Sequence, residues 1–122
     1  MARWFVIHGK MQGLNEMVLA SRGNKYAANK TKQVTDDMIV WEIKKQISDY
    51  KAVKIVDIDF KWFELNRRRD KDNVCSAKKF IMDALVKAGT IKGDGWKYVG
   101  NFTDTFAVGE EACVLVVLKE RG

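Results

Sequence analysis

Asp70 and Asp72 stand two residues apart with only Lys71 between them, and in an extended segment side chains at i and i+2 project to the same side of the backbone. Two carboxylates on one side form half of a site for a hard divalent cation, which takes oxygen ligands. Asp72 or Asn73 also falls where the next helix should begin. The positive end of that helix and its free amides would support carboxylates, or a phosphate, at that spot. The plainer account of the same residues is an ordinary helix cap, because aspartate is a common capping residue. Asp57-Ile58-Asp59 has the same spacing but lies inside an alternating stretch, where its carboxylates form the wet face of a strand.

The second pair differs in its setting. Arg67-Arg68-Arg69 runs directly into it, lysines follow on the next helix, and a further acid, Asp94, stands beyond that helix. Hydrolysing a phosphodiester needs an activated water, a Lewis acid on the nonbridging oxygens, and positive charge against the developing dianion. Magnesium held by carboxylates supplies the first two, and lysine or arginine supplies the third. Ser76, Lys79, Asp83 and Lys87 are spaced by 3, 4 and 4 and form one polar helix stripe. On one reading Lys79 reaches a phosphate; on the other it makes an exposed i,i+4 pair with Asp83, worth a few tenths of a kcal/mol.

The elements that must position these groups are legible from periodicity. Trp4-Phe5-Val6-Ile7 predicts a first strand ending at Gly9, and Asn15 to Gly23 a short irregular or helical stretch. Thr35 followed by Asp36 and Asp37 offers a hydroxyl cap with acids in the first turn, and Val40, Ile43 and Ile47 recur at helical spacing. A helix over about 36–48 is expected. Between Val53 and Leu65, Val56, Ile58, Phe60 and Trp62 alternate with Asp57, Asp59 and Lys61, the pattern of a half-buried strand. Val74, Ala77, Ile81, Ala84, Leu85 and Ala88 trace one apolar helix face closed by Gly89. Trp96 to Phe106 reads as a strand entering a turn, and Cys113 to Leu118, apolar throughout, as a buried central strand. The order β, α, β, α, β, β predicts a single α/β (α+β) domain over residues 1–122, with a small mixed sheet covered on one side by helices. Trp41, Trp62 and Phe63 are expected in the core, and His8, with no second histidine, on the surface or in packing.

A chain of 122 residues with 47% hydrophobic content fills one core. Its 22 basic against 16 acidic side chains give a net charge of +6, which suits a polyanion, and a symmetric dimer would double it. Cys75 and Cys113 are far apart and lack zinc-ligand spacing, so both should be reduced. No apolar run approaches the roughly 20 residues of a membrane span, and Met1-Ala2-Arg3-Trp4-Phe5 lacks the layout of a signal peptide, so a soluble cytoplasmic protein is expected.

Taken together, Asp70-Lys71-Asp72-Asn73, then Lys79-Phe80-Ile81-Met82-Asp83-Ala84-Leu85, then Gly93-Asp94-Gly95-Trp96 resembles the signature of RusA-like crossover-junction endodeoxyribonucleases, a family of Holliday junction resolvases. The opening, Phe5 to Lys10 with Leu14-Asn15-Glu16, is similar to the phage-type branch of that family. The resemblance implies a RusA-like homodimeric fold, with Asp70, Asp72 and Asp94 as metal-binding aspartates for Mg2+, or Mn2+ in its place. It also implies Lys79 as the helix lysine of the site and a structural role for Asp83. Arg67, Arg68, Arg69, Lys78 and Lys25 would hold backbone phosphates, contacts that position DNA without reading its sequence. The spacing from Asp72 to the Asp-Ala-Leu element is longer than in the type member, as though three residues were inserted around Cys75-Ser76-Ala77, so Lys78 competes with Lys79 for the lysine role. A single aspartate, Asp94, stands where the family often has two.

One geometric condition follows from the residues alone. A helix from Val74 to Ala88 would be roughly 22 Å long, and the six residues to Asp94 reach back at most about 20 Å. Either the inserted stretch is nonhelical and shortens the helix, or the site is completed across a dimer interface. The function so implied is a Mg2+-dependent endonuclease that resolves four-way DNA junctions by paired nicks in a phage or prophage context, in a bacterial cytoplasm, without organic cofactor or membrane. The alternatives are a broader branched-DNA nuclease of phage packaging and a noncatalytic basic DNA-binding module.

Overall fold

The computed structural model describes the backbone of residues 2–13 and 25–122, and the side chains of residues 2–13 and 32–122. The stretch from Asn15 to Gly23, the Leu14-Asn15-Glu16 part of the opening motif and the Lys25 side chain lie outside the described residues.

Alternation of apolar and polar residues builds a sheet from β1 (Ala2–His8), β2 (Val56–Glu64), β3 (Val99–Val108) and β4 (Cys113–Glu120), in the order β1-β4-β2-β3. β4 runs antiparallel to both β1 and β2, whereas β2 and β3 are parallel, so the sheet is mixed. Register aligns Phe5 with Val116 and Phe60 with Val116, and Ile58 with Leu118. One face therefore carries Phe5, Ile7, Ile58, Phe60, Trp62, Val114, Val116 and Leu118, all buried. Each such side chain contributes about 1.5–3 kcal/mol when fully buried. β4 is central, as its composition predicts. Its other face is not fully covered, because Cys113, Leu115 and Val117 are only half-buried there.

The helices are α1 (Lys25–Ile47), α2 (Lys71–Cys75) and α3 (Lys78–Lys87). Ile39, Ile43 and Ile47 of α1 and Ile81, Ala84 and Leu85 of α3 bury against the sheet's apolar face. α1 begins well before the expected start at residue 36. The upstream residues, with three lysines and two alanines and no glycine or proline, propagate the helix, so Thr35, Asp36 and Asp37 are interior rather than a cap. Trp41, expected in the core, is 59% exposed with Lys45 4.7 Å from its ring centre. The isoleucines at 39, 43 and 47 set the buried stripe, and a residue two positions from the stripe turns roughly 200° away from it. Asp36 faces inward, and burial raises its carboxyl above the ordinary value.

The single helix expected from Val74 to Ala88 is two. Ser76 and Ala77 break it with bonds of the tighter i to i+3 kind, Ser76 N–H to Asn73 O at 3.3 Å and Ala77 N–H to Val74 O at 3.5 Å. The apolar face survives the break, since Val74, Ala77, Ile81, Ala84 and Leu85 are all buried. α3 closes on Gly89 at φ +78°, where Gly89 N–H reaches Val86 O and Thr90 N–H reaches Leu85 O, both at 3.0 Å. These are the paired bonds of a Schellman cap, and the positive φ suits glycine. β3 starts at Val99, three residues later than expected, because Trp96 lies in the preceding turn and is 97% exposed.

On the sheet's other face Asp57 is clamped by Arg121, with Nη2 to Oδ1 at 2.8 Å, and accepts from the Asn101 amide at 2.7 Å. The Arg121 guanidinium, then that amide, hold its carboxyl at about 2, below the ordinary 3.8. A carboxyl lowered by folding stabilises above its unfolded pKa, and that contribution is lost as pH falls from about 4 through about 2. Asp57→Asn is expected to lower the unfolding midpoint near neutral pH and to flatten the decline across that acid window, measured by thermal melts at stepped pH.

Candidate functional site

β2 ends at Glu64, and the chain turns through Leu65 to Arg69 into α2. Arg69 fixes that turn: its Nε and Nη2 donate to the two Glu64 carboxylate oxygens at 2.8 and 2.9 Å, and its Nη1 donates to the Met11 carbonyl at 2.9 Å. Such a two-armed bond is strong and directional. Arg69, expected to hold a DNA phosphate, is thus turned inward and its side chain is only 11% exposed. Tethering it leaves Arg67 and Arg68 exposed on the turn. Gly13 lies against the start of α2 so closely that a Cβ there would overlap the Asn73 carbonyl oxygen, so the loop after β1 and α2 are packed backbone to backbone.

Asp70 is extended at φ −67°, ψ 151°, and its carbonyl accepts the first bond of α2 from Val74 N–H at 3.0 Å. Asp72 already lies in the first helical turn. The expectation of two carboxylates projecting together from one extended segment therefore does not hold. The pair straddles a helix start, because acids in a first turn are favoured by the exposed amides. Asp70 makes no side-chain cap bond, and both aspartates are exposed. Asp70 opens onto a cleft of about 480 Å³ lined also by Glu64, Arg67, Arg69, Lys71 and Phe106.

Asp94 opens elsewhere. It lines a cleft of about 310 Å³ with Lys78, Lys79, Met82 and Phe102. Phe102, Asp104 and Phe106 share the helix-facing side of β3. Phe102 marks the cleft of Asp94 and Phe106 that of Asp70, roughly 13 Å apart along a strand at about 3.3 Å per residue. Among the described residues no three metal-ligating side chains lie close enough to hold a metal ion. The helix break at Ser76 and Ala77 meets one branch of the length condition, yet Asp94 still does not join Asp70.

The two candidate lysines differ sharply. Lys79 is 71% exposed and loosely paired with Asp83 at 3.4 Å, the plain surface pair. Lys78, expected to hold a backbone phosphate, is 20% exposed and bonded to Asp104 at 2.6 Å. Asp104 and Glu64 were not singled out from sequence. The signal for Asp104 was present: an acid flanked at i−2 and i+2 by Phe102 and Phe106 occupies a position where alternation calls for an apolar residue. Burial, reinforced by the negative charge of Asp104, pushes the Cys75 thiol up. Both cysteines are free, and His8 is exposed. No helix among the described residues is long and apolar enough to cross a membrane.

Neither protein-family models nor curated proteins yield a match for this chain.

Proposed function

We propose that the chain is a structure-selective endonuclease for branched DNA, a RusA-like resolvase of four-way junctions that works as a homodimer with Mg2+. The observation that carries the reading is the cleft at the head of α2, where Asp70 stands among Arg67, Lys71 and the tethered Arg69. Acids beside exposed cations on a fixed turn suit a phosphodiester and its hydrolysis. Mg2+, when bound, would supply the activated water and the Lewis acid. The described residues of one protomer do not fit such a centre, because Asp94 is in a separate cleft. The reading therefore places completion of the site at a second copy, which contributes its own Asp94. A four-way junction is roughly twofold, and a twofold dimer presents two equivalent sites to it.

The chain's own part is to hold the strand. Arg67 and Arg68 offer exposed guanidinium groups on the turn that leads into Asp70. A dimer that joins Asp94 of one copy to Asp70 of the other must pair on the helix-facing side or along the free edge of β3, where both clefts open, and not through the opposite face of the sheet.

The test of the function is nicking of a labelled four-way junction and its matched linear duplex, with Mg2+ and with EDTA. Symmetric, metal-dependent cutting of the junction alone is the expected result. Equal cutting of three-way and flap substrates would make the chain a broader branched-DNA nuclease. One observation favours a second reading, a basic DNA-binding module: among the described residues of a single protomer the acids do not converge. Tight, salt-sensitive binding without cutting would establish it.

A further inference from the structure

Lys78 is bound on every side that the fold offers. Its ammonium donates to Asp104 Oδ2 at 2.6 Å and lies 4.8 Å from the centre of the Phe102 ring and 5.2 Å from that of Phe60. Asp104 is fixed in turn by the Trp62 indole N–H, which donates to Oδ1 at 2.8 Å. Trp62 is itself buried and stacked on Phe60. The array runs from the core of the sheet outward, Trp62 to Asp104 to Lys78, and ends on a cleft that also holds Asp94. A free lysine gives up its rotamer freedom when it is held in one place. Here that freedom is already lost before any ligand arrives. An ammonium carries three donors. One goes to Asp104 and the rings cover part of the remainder, which leaves donor capacity toward the cleft.

We infer that Lys78, and not Lys79, is the lysine that meets the DNA phosphate being cut, and that Asp104 is a positioning residue that acts through it. This rests on the nuclease reading above. A preorganised cation stabilises developing charge without reorganising at the moment of reaction, which a loosely held ammonium such as that of Lys79 does not match. An ion pair that merely plugs the open edge of the sheet would account for the contact between Lys78 and Asp104. It would give Lys78 no relation to DNA.

The experiment has two arms. In EDTA, intact protein is treated with an amine-acylating reagent, with and without a four-way junction, and modification is read by mass spectrometry. Lys78 is expected to react slowly in the free protein, faster in Asp104→Asn, and to be protected by the junction. In Mg2+, single-turnover cutting at saturating junction is measured for Lys78→Ala, Asp104→Asn, Lys79→Ala and the Lys78→Ala/Asp104→Asn double variant. Lys78→Ala is expected to lose roughly 100-fold in rate, the scale of removing one preorganised donor. Asp104→Asn, which keeps an acceptor for Trp62, should lose about 10-fold with an unchanged Mg2+ half-saturation and junction affinity, and Lys79→Ala less than about threefold. The double variant should be no slower than Lys78→Ala alone, since a residue acting through another adds nothing once that other is gone. Should Asp104→Asn fold poorly, Trp62→Phe, which removes the indole donor to Asp104 together with part of the buried ring volume, takes its place in the same cycle, with its thermal midpoint measured alongside. Losses that multiply, a shifted Mg2+ half-saturation, or no protection of Lys78 would each overturn the inference. A wild-type protein that protects Lys78 yet never nicks removes the nuclease reading and the rate role together, and leaves Lys78 a DNA contact only.

Discussion

Asp70→Asn, and separately Asp72→Asn, are expected to cut four-way junctions at least roughly 10³-fold more slowly than the wild type while binding them as well or better. Asparagine keeps the size and one carbonyl oxygen of each side chain and removes its charge. Asp70 makes no side-chain cap bond to lose, and both residues are exposed, so the fold should hold. Removing a negative charge beside Arg67 and Lys71 lessens repulsion of the DNA backbone. Gel shifts in EDTA and nicking in Mg2+ measure the two effects on the same preparations. A folded Asp70→Asn protein that no longer binds junctions would assign Asp70 to holding the turn and not to chemistry.

The second large effect concerns the separation of the acids. Asp70→Asn and Asp94→Asn homodimers are each expected to be inactive. Mixed by denaturation and refolding, they should recover nicking, at about a quarter of the wild-type site concentration, since about half the dimers are mixed and each holds one intact site. An intact site in such a dimer takes Asp70 from one copy and Asp94 from the other. Recovery should extend to single nicks and not to paired resolution, which needs both sites. Were all the acids of a site drawn from one copy, every mixed dimer would be inactive and nothing would be recovered. The placement of Asp94 beside Lys78 and Phe102, away from Phe106 and Asp70, is what makes recovery the expected result.

Much of the fold was legible because it rests on short-range periodicity. Val56, Ile58, Phe60 and Trp62 name the buried side of β2, and Val74 through Leu85 name the buried side of α2 and α3, whatever the backbone does at Ser76. The start of α1 was not legible: Thr35-Asp36-Asp37 is a good capping triplet, yet nothing in the preceding residues stops a helix, and propagation is favoured once a helix exists. Trp41 shows the limit of composition, since helix phase and not hydrophobicity decides which side it faces. The site was legible in its acids and arginines and illegible in their pairing. Arg67, Arg68 and Arg69 are equivalent in a string of letters, and only the return of Arg69 to Glu64, across the end of β2, divides one internal clamp from two exposed cations. The partnership of Lys78 with Asp104 joins residues 26 positions apart, beyond the reach of any local pattern.

The position of β4 bears on how the protein is made. It follows the other three described strands in the chain yet is second in the sheet, lying between β1 and β2. Until Cys113 to Glu120 leave the ribosome, β1 has no partner strand among those described, and β2 is paired on one side only. The nascent chain thus carries a finished β2–helix–β3 unit and a stranded first strand whose Phe5 and Ile7 await Val116 and Val114. Contacts so distant in sequence form slowly, and unpaired apolar edges invite association with other chains. Production of this protein should therefore respond to translation speed and to chaperone supply around the β4 segment more than around the segments before it.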